Sequence, residues 1–235
     1  MALTTTETLV SFSMEGFLTQ ADRHRILSRM SQLGIEQPEL FAPGRASAMH
    51  SVPGLTAEEV TDVYEPHGRV EITTLPAEVV EILDDAAGHS LPVLRRPFPA
   101  VDCWGSWTYL EYHIGQCITP HADTVTADPS SYPRQIAGVS VVLTDDFAGG
   151  HFFVETCGSD TIWADAPDGT LDRLLTDSAD LSSPGFAAVP RTRWRARQRA
   201  GDALVYGAQL VHGTEPVLSG VARKIIGWFM ESRPC

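Results

Sequence analysis

The stretch Tyr112-His-Ile-Gly-Gln-Cys-Ile-Thr-Pro-His-Ala-Asp123 ends in two metal-binding side chains separated by one alanine. Side chains of an extended strand alternate between its two faces, so His121 and Asp123 project together while Ala122 points away. An imidazole and a carboxylate placed in this way can share one ion. The stretch therefore predicts part of a metal site at the end of a β-strand.

A catalytic metal site needs at least one further ligand, and the best candidate lies far along the chain. It is His212, near the end of Gly201-Asp-Ala-Leu-Val-Tyr-Gly-Ala-Gln-Leu-Val-His-Gly213. Two histidines and one carboxylate on one face of an ion form the facial triad of non-haem Fe(II) oxygenases, which leaves positions open for a cosubstrate and dioxygen. An H-x-D triplet alone is weak evidence, because such triplets arise by chance and most histidines are surface or packing residues.

The second half of the chain alternates short apolar runs with turn residues, which is typical of β-structure. Many short strands at such intervals favour a barrel or a double-sheet jelly roll over alternating βα units. The predicted strands are Trp107–Ile114, Cys117–Asp123, Ile136–Thr144, His151–Glu155, Ala203–Tyr206, Gln209–Val211 and Arg223–Met230.

The N-terminal third has a different pattern, with helices predominating and no site-like group of residues. Helices are predicted over Thr19–Leu33, Leu55–Val63 and Pro76–Gly88, and short strands near Thr8–Phe17 and Val70–Thr74. We expect a single domain over residues 1–235, in which residues 1–100 support a β core over residues 101–230. The fold class is mainly β with flanking helices.

Residues 157–199 interrupt the strand pattern and are rich in Pro, Gly, Asp and Ser. They predict a long insertion with one short helix near Leu171–Leu175. Trp163 and Trp194 favour an ordered segment, since disordered chains rarely contain tryptophan. The insertion is either a lid, in which case these two tryptophans are candidate substrate contacts, or a structural elaboration.

Composition excludes several classes of function. The formal charge of -13 over 235 residues argues against a nucleic-acid partner, and it fits a neutral or cationic substrate. There is no secretory leader and no apolar run long enough to span a membrane, so we expect a cytoplasmic protein without a membrane partner. Its cysteines are widely spaced without a C-x-x-C pair, which predicts free thiols.

Three ordered blocks of the sequence resemble the prolyl-4-hydroxylase-like Fe(II)/2-oxoglutarate dioxygenases. Residues 112–123 match the pattern Y-x-x-G-Q-x-x-x-P-H-x-D. Arg134–Phe152 is similar to the family's arginine, apolar strand, turn, glycine pair and phenylalanine. The third block comprises Gly201–Tyr206, His212–Gly220 and Trp228–Phe229, and it resembles the family's closing segment.

The resemblance implies a double-stranded β-helix, with His121, Asp123 and His212 as iron ligands. It also implies 2-oxoglutarate and dioxygen as cosubstrates. The expected reaction oxidises a C–H bond and releases succinate and carbon dioxide. The metal and cosubstrate carry this chemistry, while the protein orients the target bond and excludes water.

The far carboxylate of 2-oxoglutarate requires a fixed cation, and here the sequence departs from the family pattern. Counted from His212, the position that is usually basic falls on Ala222, followed by Arg223 and Lys224. A regular strand places Ala222 and Lys224 on one face, whereas a one-residue bulge turns Arg223 inward. We predict Arg223 as the carboxylate ligand, with Lys224 as the alternative and exposed strand-edge charges as the third interpretation. Tyr112 either contacts the cosubstrate or packs in the core.

Three functions stay open from the sequence. The leading one is oxidation, most simply hydroxylation, of a small molecule such as an antibiotic intermediate, a sugar or an amino acid. The second is hydroxylation of a prolyl or other residue in a protein substrate. The third belongs to another class, a non-catalytic barrel that binds a metabolite. The oligomeric state is not predicted.

Overall fold

The computed structural model describes residues 7–33, 56–123, 132–157, 188 and 190–232. They form three α-helices and thirteen strands. Up to the metal-binding stretch these are a 3₁₀ turn Glu7–Leu9, β1 (Ser11–Met14), α1 (Gln20–Ser31), α2 (Ala57–Tyr64), β2 (Val70–Ile72), α3 (Ala77–Leu94), β3 (Cys103–Trp104) and β4 (Thr108–Tyr112). The later elements are β5 (Ile118–His121), β6 (Arg134–Val142), β7 (Ala148–Gly149), β8 (Phe152–Cys157), β9 (Arg191–Arg195), β10 (Ala203–Gly207), β11 (His212–Thr214), β12 (Val217–Ser219) and β13 (Ala222–Glu231).

The strands form two main antiparallel sheets. The major sheet has the order β1-β10-β6-β13-β4-β2, and β3 also pairs with β13. The minor sheet has the order β5-β11-β8-β9, and β7 pairs with β12 separately. Residues of both sheets line one shared cavity, so the sheets face each other across it. The prediction of a mainly β fold of the double-stranded β-helix type, with helices beside it, is confirmed.

The two faces of the major sheet have different roles because its strands alternate. On β13, Ile225 and Phe229 point towards the helices and join the main hydrophobic core. Lys224, Ile226 and Trp228 point the other way, into the cavity between the sheets. The helix-facing side is closed by apolar residues of α1 and α3, among them Ile26, Met30, Val79, Leu83 and Leu94. Burial of such side chains fixes the sheet from behind.

The first two helices begin where the sequence predicts, and side-chain caps explain why. Thr19 caps α1: its hydroxyl accepts a hydrogen bond from the Asp22 backbone N–H at 3.2 Å, within a capping box. Thr56 caps α2 in the same way, accepting from the Glu59 N–H at 3.2 Å. Each cap satisfies a backbone donor that has no partner inside its helix.

The predicted end of the third helix is wrong. We expected α3 to stop at Gly88, but it continues to Leu94 with Pro92 inside its last turns. Leu83, Ala87 and Leu94 are buried and lie on one side of the helix, so core packing carries it past the glycine. A Cβ on Gly88 would lie only 3.7 Å from Cη2 of Trp104, so the helix lies close to that ring here. Tertiary packing therefore outweighs the local stop signal.

Two strand predictions also need correction. The expected strand Gln209–Val211 is a turn, in which the Leu210 N–H bonds the Gly207 carbonyl at 3.0 Å, and the strand β11 follows it. The expected insertion contains the regular strand β9 at its end, paired with β8. Trp163 and the helix predicted near Leu171–Leu175 lie outside the described residues. In the described ranges, no helix has both the length and the apolar character needed to cross a bilayer.

Candidate metal centre

The three predicted metal ligands meet at one edge of the minor sheet. His121 is the last residue of β5, and His212 is the first residue of β11. The two strands pair so that these histidines are direct cross-strand neighbours. Asp123 follows β5 by two residues. Neighbouring positions on adjacent strands put side chains about 5 Å apart, which is close enough to share an ion.

The ligand atoms converge on a common point. Oδ1 of Asp123 lies 3.5 Å from Nε2 of His121 and 3.4 Å from Nε2 of His212. One ligand atom from each of the three residues lies within 4.8 Å of the others. Ligands at about 2.1 Å from a metal and at right angles to one another are roughly 3 Å apart, so the two distances from Asp123 are close to those of neighbouring ligands of an octahedral ion.

Backbone carbonyls hold both imidazoles in the orientation that metal binding needs. Nδ1 of His121 lies 2.7 Å from the Thr119 carbonyl, and Nδ1 of His212 lies 2.8 Å from the Leu210 carbonyl. A carbonyl oxygen only accepts, so each Nδ1 carries a hydrogen and Nε2 is the nitrogen left to bind an ion. The two side chains therefore present their Nε2 atoms to the same point, as metal-bound histidines do.

Asp123 stays anionic in this setting. Burial alone would raise its pKa, but the neighbouring His212 and His121 hold the pKa of this carboxyl well below its ordinary value. The Gln135 amide approaches its Oδ2 at 3.4 Å. The Tyr206 hydroxyl also bonds this carboxylate, and burial together with Asp123 raises the pKa of Tyr206 well above its ordinary value. Gln135 and Tyr206 thus act as neutral donors that orient the carboxylate.

Aromatic rings enclose His212. Its ring is stacked on Phe152, with centroids 5.3 Å apart and an interplanar angle of 14°, and it lies 4.3 Å from the ring of Tyr206. Tyr206 reaches this place because it pairs with Gly138 across the strands β10 and β6. A Cβ on Gly138 would come within 2.4 Å of the Tyr206 ring. The glycine therefore leaves the space that the tyrosine fills.

The centre opens into a cavity of about 250 Å³ between the sheets. This volume is at the small end of ligand sites, so it suits a small cosubstrate together with the reacting end of a substrate. Besides the metal ligands, several charged or hydroxylated side chains line its wall, among them Glu65, Arg69, Glu71, Tyr112, Thr214 and Lys224.

The structure brings Lys224, and not Arg223, to this cavity. Strand β13 pairs with β4 in unbroken register from Ala222 to Ile226, so the bulge that we expected to turn Arg223 inward is absent. The Arg223 guanidinium lies on the helix side and donates from Nε to Glu111 at 3.1 Å. The Lys224 ammonium is 1% exposed and donates to the Gly150 carbonyl at 2.9 Å. The expectation for Arg223 is therefore corrected by ordinary strand alternation.

Lys224 carries a changed acidity because of its surroundings. Burial, followed by the charge of Arg69, lowers the pKa of Lys224 to about 7. Its Nζ lies 3.4 Å from Oγ1 of Thr214 and 5.5 Å from the centre of the Tyr112 ring. A bound anion would restore the charged form. This ammonium is therefore a candidate partner for a carboxylate.

Tyr112 lies beside Lys224 on the cavity wall and is buried. Its hydroxyl oxygen accepts a hydrogen bond from Nη1 of Arg69 at 2.6 Å. Nη2 of Arg69 pairs with Glu65 at 3.1 Å and with Glu71 at 2.8 Å. The sequence indicated Tyr112 as a possible cosubstrate contact, but it gave no reason to consider this arginine.

Trp194 lies outside the cavity lining. It is on β9 and is 62% exposed, and its indole N–H donates to the Thr156 hydroxyl at 2.8 Å. Its cross-strand partner is Val154, which in turn pairs with His212. The tryptophan is thus on the same sheet face as the metal ligands, two strands from His212. Its role in substrate contact stays a prediction, and Trp163 lies outside the described residues.

Sequence reasoning missed three residues of the site: Arg69, Gln135 and Tyr206. Tyr206 lies in a strand that is otherwise apolar, so its hydroxyl was the one feature of that strand that could have indicated a role in the site. Arg69 and Glu71 flank Val70 at the start of β2, in the N-terminal third for which the sequence predicted no site-like group of residues. Gln135 gave no signal beyond its position in the second block of the resemblance.

Comparison with known proteins gives the fold a context. No protein-family model and no curated protein sequence matches the chain. Among solved structures, a prolyl-4-hydroxylase from Pseudomonas putida is similar over 97% of this chain and 95% of its own, with a TM-score of 0.56 and 12% identity. HygX from Streptomyces hygroscopicus, with nickel and 2-oxoglutarate bound, covers 97% and 87%, with a TM-score of 0.54 and 17% identity.

A third similar structure is the epimerase SnoN in complex with Fe3+, alpha ketoglutarate and nogalamycin RO. It covers 97% of this chain and 82% of its own, with a TM-score of 0.55 and 16% identity. At this level of identity the likeness shows a shared fold. The resemblance read from three sequence blocks and the fold of the whole chain therefore agree.

Proposed function

We propose that this protein is an Fe(II)- and 2-oxoglutarate-dependent oxygenase that oxidises a C–H bond of a small molecule, most simply by hydroxylation. The observation that carries the proposal is the convergence of His121, Asp123 and His212, with both imidazole Nδ1 atoms fixed by backbone carbonyls. Two nitrogens and one carboxylate in this arrangement suit a six-coordinate Fe(II) with open positions. The three side chains are at most 9% exposed, so the site holds its donors away from bulk water.

Different residues of the cavity would have different roles in this reaction. The three ligands would hold Fe(II), while Gln135 and Tyr206 orient the carboxylate of Asp123. Lys224 and Tyr112 would bind the far carboxylate of 2-oxoglutarate by charge and hydrogen bonding. The chemistry supplied by bound Fe(II) and 2-oxoglutarate is the activation of dioxygen, with succinate and carbon dioxide as by-products. The apolar side chains of Phe152, Leu110 and Ile226 also line the cavity, and they would keep water from the reacting bond.

A small-molecule substrate is favoured by the size of the cavity and the net charge of the protein. The cavity of about 250 Å³ admits only the reacting end of a substrate beside the cosubstrate. The formal charge of -13 favours a neutral or cationic molecule. Two structures of the same fold hold antibiotics, hygromycin B in HygX and nogalamycin RO in SnoN. An antibiotic or a related biosynthetic intermediate is therefore our first candidate.

Hydroxylation of a residue in a protein substrate is the second candidate. It is favoured by the similarity to prolyl hydroxylases, including one solved in complex with a peptide fragment. Succinate release that rises with a proline-containing peptide, and not with amines, sugars or aminocyclitols, would favour it over the first candidate.

The test begins with protein loaded anaerobically with Fe(II) and 2-oxoglutarate. On admission of oxygen we expect succinate, slowly without substrate and faster with the correct one. Asp123→Ala should abolish succinate release and weaken Ni²⁺ binding by at least about 100-fold, because changes outside the ligand set alone weaken it by 10–100-fold. Asp145→Ala, an exposed carboxylate, is the matched control and should behave as the parent protein.

Two results would contradict the proposal. Succinate release retained in Asp123→Ala would remove this residue from its role. Tight Ni²⁺ and 2-oxoglutarate binding without any succinate would instead support the third function, a non-catalytic barrel that binds a metabolite.

A further inference from the structure

A buried charged cluster lies in the wall of the cavity that also contains the metal ligands. It consists of Glu65, Arg69 and Glu71, whose side chains are at most 8% exposed. Nη2 of the arginine pairs with both carboxylates, at 3.1 and 2.8 Å. Buried ion pairs are weak contributors to stability, because desolvation of the charges offsets their attraction. The cluster therefore calls for an explanation in terms of the site that it borders.

The cluster acts on one hydroxyl group of the cavity wall. Nη1 of Arg69 lies 2.6 Å from the Tyr112 oxygen. A guanidinium can only donate, so the phenolic oxygen accepts and its own hydrogen must point elsewhere. Among the contacts of the described residues, no acceptor binds that hydrogen.

A second donor lies beside the Tyr112 ring. The Lys224 ammonium is 5.5 Å from the centre of the Tyr112 ring, and two of its three hydrogens point to Gly150 and Thr214. One ammonium hydrogen and one phenolic hydrogen thus remain for a ligand. A carboxylate that accepts one bond from each is the group whose geometry and charge fit this pair.

We propose that Arg69 is a positioning residue for the cosubstrate: it turns the Tyr112 hydroxyl towards the far carboxylate of 2-oxoglutarate, which Tyr112 and Lys224 bind together. Arg69 makes no contact with the ligand and acts through the tyrosine. This inference rests on the proposed function, because it takes 2-oxoglutarate as the ligand of the cavity.

The test is a double-mutant cycle on the full chain loaded with Ni²⁺, which binds the cosubstrate without turnover. Isothermal titration calorimetry measures the Kd for 2-oxoglutarate in the parent protein, Arg69→Met, Tyr112→Phe and the double variant. Loss of one hydrogen bond to a charged group predicts a roughly tenfold higher Kd for Tyr112→Phe. Arg69→Met should raise Kd by a similar factor, and the double variant should bind no more weakly than either single variant.

A second ligand separates positioning from general damage. 2-Oxobutyrate has the metal-chelating 2-oxo acid group but lacks the far carboxylate, so its Kd should be the same in all four proteins. Two matched controls should leave both affinities unchanged. Tyr109→Phe removes a hydroxyl on the other face of the same strand, which bonds Glu111, and Arg223→Met removes a paired arginine on the helix side.

Arg69→Met removes the positive charge that pairs with two buried carboxylates, so it is accompanied by a neutral version. The triple variant Arg69→Met, Glu65→Gln, Glu71→Gln removes the whole charged cluster and should show the same tenfold loss for 2-oxoglutarate alone. Thermal unfolding shows whether Arg69→Met and the triple variant are folded, and the Kd for 2-oxoglutarate is compared with the parent value for the folded variant.

Two outcomes overturn the inference. One is a further tenfold loss when Arg69 is changed in the Tyr112→Phe background, which means that the arginine acts directly on the ligand. The other is an unchanged Kd for 2-oxoglutarate in the folded Arg69 variant, or an equal loss for 2-oxobutyrate. Failure of the parent protein to bind either 2-oxo acid in the presence of Ni²⁺ would instead refute the proposed function itself.

Discussion

Binding of 2-oxoglutarate should depend on pH through Lys224. In the free protein, burial and the charge of Arg69 lower the pKa of this ammonium to about 7. Only the protonated form attracts a carboxylate, and a bound carboxylate favours that form in return. The affinity for 2-oxoglutarate should therefore be constant below pH 7 and fall as pH rises above it, with uptake of a proton on binding.

The size of the effect follows from linkage. Above the free-protein pKa, each pH unit lowers the fraction of charged lysine tenfold, so Kd rises about tenfold between pH 6 and pH 8. Lys224→Met should remove this dependence and weaken binding at pH 6 by about 2 kcal/mol, which is roughly 30-fold. Replacement of a buried ammonium by an apolar chain of similar length should leave the fold intact.

Other groups near the ammonium also carry charge, and the design has to separate them. Arg69, Glu65 and Glu71 face it from the β2 side of the cavity, Tyr112 from β4 and Tyr206 from β10, with the metal ligands beyond. These groups are all present in Lys224→Met, so any pH dependence that survives in this variant belongs to them.

The assay is calorimetric titration of Ni²⁺-loaded protein with 2-oxoglutarate at several pH values between 6 and 8.5, in two buffers of different ionisation enthalpy. The buffers report proton uptake directly. Arg223→Met, on the opposite face of β13, should keep the parent profile. A parent Kd that does not change with pH, or the same slope in Lys224→Met, would refute the assignment of this lysine as the carboxylate partner.

Two further predictions concern packing. Gly138→Ala should weaken Ni²⁺ binding by about 10–100-fold. The new Cβ would lie 2.4 Å from the Tyr206 ring and displace a donor to Asp123. Calorimetric titration with Ni²⁺ measures this, and an affinity equal to that of the parent protein would contradict the prediction. Leu83→Ala, at a fully buried site on α3, should lower the free energy of unfolding by about 2–5 kcal/mol in urea titrations, whereas Val93→Ala, 47% exposed on the same helix, should change it by less than about 1 kcal/mol. A similar loss in both variants would show that α3 does not anchor the core as described.

The metal ligands were predictable because their signal is local. Strand alternation predicted a shared face for His121 and Asp123, although β5 ends at His121 and Asp123 lies two residues beyond it. The third ligand, His212, was a candidate by residue type, and the resemblance supported it, because no local rule connects His212 with residues about 90 positions earlier. The structure supplies the reason in the pairing of β11 with β5, which makes the two histidines cross-strand neighbours.

The carboxylate side of the cavity was harder to predict. Alternation placed Ala222 and Lys224 on one face, but a bulge was invoked to bring the arginine inward, because a guanidinium can bind a carboxylate through two hydrogen bonds. The buried ammonium is tolerated because the Gly150 carbonyl and the Thr214 hydroxyl accept its hydrogen bonds. Arg69 could not be predicted from the sequence, because its partner Tyr112 is 43 residues away and tertiary contacts decide whether its charge is buried.

On the proposed function, the division of the site between two sheets favours an elongated ligand. The metal ligands belong to the minor sheet, on or just after β5 and β11, whereas Lys224 and Tyr112 belong to β13 and β4 of the major sheet. The backbones of facing sheets lie about 10 Å apart, so a ligand that binds both the metal and the Lys224–Tyr112 pair has to reach from one set of donors to the other. A molecule that chelates a metal at one end and carries a carboxylate at the other spans this gap. The two anionic ends of 2-oxoglutarate meet that requirement, and a shorter 2-oxo acid satisfies only the metal side.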